Sequence, residues 1–139
     1  MRGTRTLLVI AAGISAGLAL GAAQRPVALA PTVGGVWELS GVPGMRVPPR
    51  QCVADPIVLA QFEHRNRPCT RTVVSDVPPT TVIHYTCPAG GFGNSRMTLI
   101  TPRSIRIETQ GISDGLPYNY VMQARRIGDC PAPFGRPRH

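Results

Sequence analysis

The chain has no lysine and few acids: all 15 of its basic residues are arginines, against 7 Asp and Glu. Aromatic residues are scarce too, with three Phe, three Tyr and one Trp in 139 residues. That is too few to interleave with the arginines as stacking platforms for a nucleic-acid strand, so no nucleic-acid partner is expected. The four cysteines never come as a close C-x-x-C pair but stand 17, 18 and 43 residues apart, which argues against a metal site. Gly90-Gly91-Phe92-Gly93 lacks the Lys and Ser/Thr that complete a phosphate loop, and reads as a turn. No cofactor is expected. The longest apolar run, Leu7 to Leu20, is short of the roughly 20 residues that a spanning helix requires, so no transmembrane helix is expected in the mature chain.

That short run is itself informative. Arg2 and Arg5 precede it, and Gly21-Ala22-Ala23 before Gln24 supplies the small residues of a cleavage site, so residues 1–23 read as a signal peptide. A lipoprotein is disfavoured because no cysteine lies near the cut to carry a lipid. The mature chain then has about 116 residues, the 139 of the whole less the 23 removed. Residues 24–33 read as a linker, 34–131 as a single β-rich domain, and 132–139 as a flexible Pro/Arg tail. The expected location is periplasmic or secreted.

In an oxidising compartment an even set of cysteines reads as disulfides, and four cysteines allow three pairings. Strand geometry helps to choose. Thr70 to Ser75 and Thr81 to Cys87 are β-rich runs joined by Asp76-Val77-Pro78-Pro79-Thr80, a hairpin with a loose turn. Centred on Pro78, the register sets Val73 against Ile83, Arg71 against Tyr85 and Cys69 against Cys87, all on one face. Cys52 is left for Cys130.

The remaining chain continues in strands. Gly35 to Ser40 is a first strand, and Gly41 to Gln51 an irregular loop. Asp55 and Pro56 open one short helix through His64, with Asp55 as cap and Pro56 in the first turn. After a glycine-rich turn over residues 88–94, strands are expected at Arg96 to Thr101, Ile105 to Thr109 and Tyr118 to Ile127. A register that sets Thr109 beside Tyr118 brings Ile107 to Tyr120 and Ile105 to Met122 on one face, while Ser104, Arg106, Glu108, Asn119, Gln123 and Arg125 point outward. The fold class is therefore mainly β: an antiparallel meander sheet, one short helix and two disulfides. Its apolar face must be covered, and curling into a half-barrel is preferred here over holding the helix against the sheet.

Gly35-Val36-Trp37-Glu38, Gly44-Met45, Pro48-Pro49-Arg50-Gln51-Cys52, Cys69, Cys87, Gly90-Gly91 and the closing Arg126-Ile127-Gly128-Asp129-Cys130 resemble, in order and spacing, the small exported bacterial proteins of domain-of-unknown-function family 3617. The resemblance covers about residues 34–131. It implies a periplasmic or secreted β-rich protein and carries no activity, ligand or catalytic residue. Here the strand after the third cysteine is poorer in glycine than is usual in that family. A more distant similarity is to lipocalin-like barrels, in which a G-x-W on the first strand packs near an arginine of the last. Trp37 with Arg125 or Arg126 fits those parts, which would make the concave face a pocket for an apolar or amphipathic molecule.

On these grounds Trp37, Ile83, Tyr85, Ile107, Tyr120 and Met122 are the candidate ligand-facing or core residues. Loss of Arg2 and Arg5 leaves 13 basic against 7 acidic residues, a balance of +6. Arg65, Arg67, Arg71, Arg125 and Arg126 are the candidate contacts to anionic polymers or lipid head groups, because guanidinium groups bind carboxylate and phosphate in a bidentate way. Catalysis has little support. His64 and His84 have no carboxylate at a telling spacing, and Ser75-Asp76 and Ser113-Asp114 read as turns. The expectation is a non-catalytic binding module for a small apolar ligand or an envelope protein. The alternative is an arginine-rich surface in peripheral contact with an anionic membrane or polymer.

Overall fold

The computed structural model describes residues 25–131. The expected signal peptide and the tail at 132–139 lie outside the described residues. Seven strands, β1 (Gly35–Ser40), β2 (Arg50–Val53), β3 (Thr70–Val77), β4 (Thr80–Thr86), β5 (Phe92–Thr101), β6 (Ser104–Ser113) and β7 (Leu116–Gly128), form one antiparallel sheet in the order β2-β1-β7-β6-β5-β4-β3. β3 to β7 are a continuous meander, and β1 returns to pair with β7, carrying β2 to the far edge.

Turn chemistry sets the registers. In the first hairpin Arg71 faces Tyr85 and Val73 faces Ile83, as the sequence predicts, but the turn is tighter than expected: the strands run on to Val77 and Thr80, leaving only Pro78 and Pro79 between them. A bulge at Val74 absorbs the extra residue, and the Thr81 hydroxyl donates to the Ser75 carbonyl beside it. The β6–β7 register differs from expectation by two residues: Thr109 faces Tyr120, Ile107 faces Met122 and Ile105 faces Ala124. Asp114-Gly115 forms a two-residue turn with φ of 50° and 77°, the positive pair a type I′ hairpin requires. The turn centre is thereby moved off the expected position while the inward face is kept. β5 begins at Phe92, earlier than expected, because the glycine turn is already closed by the Cys87 N–H donating to the Gly91 carbonyl.

The sheet is neither closed nor strongly curled; β2 and β3 remain separate edges, so the expected half-barrel does not form. Its apolar face has no need to roll up, because two 3-10 segments cover it. The longer, Pro56–His64, is the helix expected from the sequence, capped by the Asp55 carboxylate accepting from the Ile57 N–H at 3.0 Å. It is 3-10 rather than α and is interrupted at Gln61, in keeping with the only partly helical spacing of its apolar residues. The shorter, Val27–Leu29, lies in the stretch expected to be a linker, yet it is part of the core: Leu29 is fully buried, and the Asp76 carboxylate accepts from the N–H groups of Val27 (2.6 Å) and Ala28 (3.0 Å). Leu29, Leu59, Ala60 and Phe62 thus meet Trp37, Leu39, Ile83, Met97, Ile105, Ile107 and Met122 in one cluster.

Both disulfides have the expected partners. Cys69–Cys87 ties the open end of the β3–β4 hairpin, and Cys52–Cys130 joins β2 to the chain leaving β7, with Val36 between them, paired to Cys52 on one side and Gly128 on the other. No helix among the described residues is long and apolar enough to cross a membrane.

Candidate functional site

The inner face of the sheet is occupied by the protein itself. Trp37, Ile83, Tyr85, Ile107 and Met122 are buried there, and Tyr120 is half-buried. The structure brings these six candidates onto one face, but the 3-10 helix fills the space a ligand would take. Hydrogen bonds fasten it: Ser95 Oγ donates to the Ala60 carbonyl at 2.5 Å, His64 Nδ1 lies 3.0 Å from Tyr85 Oη, and Tyr120 Oη donates to Glu63 at 2.9 Å. Tyr85 Oη continues to Tyr118 Oη at 2.7 Å. Glycine makes room for this network, since a Cβ on Gly93 would collide with Tyr118 Oη and come within 2.5 Å of Tyr85 Oη. Burial, and after it the neighbouring Tyr118, holds the Tyr85 phenol above its ordinary value; burial and the Glu63 carboxylate do the same for Tyr120, and burial raises Tyr118. These phenols stay protonated at neutral pH. Their arrangement braces the helix on the sheet.

Trp37 and Arg126 are cross-strand partners, and the Arg126 guanidinium lies over Gly35 and donates to the Gly34 carbonyl at 2.9 Å. The candidate arginines do not gather into one patch. Arg71 donates to Gln61 Oε1, Arg65 stacks over the Phe62 ring at 4.6 Å, and Arg67 pairs with Asp114. At the other end Arg125 and Arg126 are adjacent on β7 and point to opposite faces. Arg126 is committed to Asp129, while Arg125 stands 3.8 Å from Glu38. Both nonetheless help to line a shallow depression of about 510 Å3 with Arg103.

The outer face carries a feature the sequence reading did not assemble. Register sets His84 beside Asn94, Asn94 beside Gln110, and Gln110 beside Asn119, a row of polar side chains crossing β4, β5, β6 and β7. At about 4.8 Å per strand the row spans about 14 Å. Next to it runs an apolar row, Phe92, Ile112 and Pro117, also in register. The two rows line a shallow open depression of about 350 Å3 that includes no carboxylate and no guanidinium. Phe92 is 45% exposed, with its ring centroid 6.4 Å from that of His84. Outward His84 and Asn119 were legible from strand alternation. Sequence pattern alone puts Asn94 and Phe92 in the turn over residues 88–94, and a β6–β7 register two residues off separates Gln110 from Asn119; the missing signal is the Asp114-Gly115 turn. Among the described residues no cluster of His, Cys, Asp and Glu is arranged to hold a metal ion.

Comparison of the chain with protein-family models, curated proteins and solved structures finds no match in any of the three.

Proposed function

We propose that this chain is a non-catalytic binding module of the bacterial envelope, and that it takes its ligand or partner on the open outer face of the sheet rather than in an interior pocket. The observation that carries this reading is the contrast between the faces: one is packed with the protein's own side chains, and the other offers a 350 Å3 depression of matched polar and apolar rows. Two disulfides with no free cysteine among the described residues support an oxidising location, periplasmic or secreted. The motif order that resembles family 3617 favours the same location. A binding role is preferred to catalysis because His84 in the depression has no carboxylate beside it and His64 is sealed in the core. The test is a titration of isotope-labelled protein with a soluble extract of bacterial envelope, followed by backbone amide resonances. Shifts clustered on outward residues of β4 to β7 are expected. No shifts, or shifts confined to the 3-10 helix and the inner face, would overturn the reading.

A second reading has one specific observation behind it, the depression lined by Arg103, Arg125 and Arg126. On that reading the surface contacts anionic polymers or lipid head groups, and binding to anionic vesicles falls steeply with salt.

A further inference from the structure

The chemistry of the outer face narrows the ligand. We infer that the strip over β4 to β7 is a site for an uncharged, hydroxyl-rich glycan chain lying along the row His84, Asn94, Gln110 and Asn119. The inference rests on the outer face being the working surface.

Three observations lead to it. The row is rich in carboxamides, each of which both donates and accepts, as a sugar hydroxyl does; an array of carboxylates or guanidinium groups would present one polarity only. Beside it, the row of Phe92, Ile112 and Pro117 supplies an apolar shelf, one of its three members an exposed aromatic ring, suited to the C–H faces of pyranose rings whose hydroxyls reach the amides. Charge is the third. The strip itself holds neither acid nor arginine; in the next row on the same face Arg96 stands opposite Glu108 in register, and Glu108 is bridged at 3.0 Å by Arg106. An anionic polymer therefore finds no guanidinium within the strip, and a neutral polymer strips no carboxylate or guanidinium of its hydration on docking there. The depression is open along its length, which suits the flank of a chain better than an enclosed small molecule.

The probes are chitohexaose, cellohexaose and maltohexaose, each titrated into the labelled, oxidised protein at millimolar concentration. At least one is expected to give saturable shifts at Asn94, Gln110 and Asn119, including their side-chain amides. The affinity should be unchanged between about 0.05 and 0.5 M salt. Phe92→Ala should weaken it about tenfold, and Asn94→Ala and Gln110→Ala about three- to tenfold each. Ile100→Ala, an exposed residue at the far end of β5, should leave it unchanged. All four are surface substitutions, and resonance dispersion verifies their folding. Silence from all three glycans while envelope extract still shifts the same residues would overturn the glycan assignment and leave the outer-face reading standing; silence from both would remove the two together. Shifts that map elsewhere, or binding that needs an anionic polymer and collapses with salt, would also overturn it.

Discussion

Removal of one buried oxygen tests how the 3-10 helix is held to the sheet. Tyr85 is fully buried, and its hydroxyl bridges His64 Nδ1 at 3.0 Å and Tyr118 Oη at 2.7 Å. In Tyr85→Phe the ring stays, so packing is nearly conserved, but the buried imidazole loses its partner on Nδ1 while Nε2 already has none. Leaving a buried polar group unsatisfied costs about 1–3 kcal/mol, and Tyr118, which is half-exposed, can turn to water. We therefore expect a loss of about 2 kcal/mol, a large part of the roughly 5–15 kcal/mol that a small domain has. At about 4–8 °C per kcal/mol for a domain near 100 residues, Tm falls by about 8–16 °C. Calorimetry on the oxidised protein reads this directly, with Tyr118→Phe as the milder comparison. A Tyr85→Phe variant within about 0.5 kcal/mol of the parent would refute the claim that this chain of hydrogen bonds fastens the helix.

Three further outcomes follow from the same structure. The phenols of Tyr85, Tyr118 and Tyr120 are all raised, mainly by burial, so the folded state keeps protons that the unfolded state releases; stability is intact below pH 10 and falls above it, by about 1.4 kcal/mol per pH unit for each phenol that stays protonated in the folded state. Tyrosinate absorbance from Tyr85 and Tyr120 should thus appear only together with unfolding, and a native state in which all three phenols ionise gradually would contradict this. Replacing Cys52 and Cys130 by serine opens the longer loop, 78 residues against 18, and should cost about 4–5 kcal/mol against about 3 for the Cys69–Cys87 pair, as read by urea unfolding. Asp76→Ala removes the carboxylate that accepts from Val27 and Ala28, and should cost about 1–2 kcal/mol while speeding hydrogen exchange at residues 27–32; unchanged exchange there would mean that Asp76 does not hold the segment.

Much of this sheet could be read from the chain because alternation is a strong signal where one face is buried. Ile83, Tyr85, Ile107 and Met122 all point inward as expected, and the hairpin that sets Cys69 against Cys87 follows from the same period. A one-residue error would have turned these side chains over; the error in β6–β7 was two residues, which preserves the face and loses only the neighbours. What alternation does not carry is how the apolar face is covered. Leu29 and Ala28 sit among prolines and alanines with no period, and the partner of the Ala28 N–H is Asp76, 48 residues away. The polar row on the outer face was hidden for a similar reason. No two of its members are close in the chain, and only correct registers across three hairpins bring His84, Asn94, Gln110 and Asn119 into line.

Accessibility of that row decides whether the outer face binds. The side-chain amides of Asn94, Gln110 and Asn119 give resolved signals, and a soluble paramagnetic agent reports how far each is open to solvent. They should relax strongly in the free protein and be shielded when envelope extract is added, while the methyl groups of Ile83, Ile107 and Met122 stay silent in both. Amides left equally bare with extract present, or core methyl groups that respond to it, would contradict the assignment of the outer face as the binding surface.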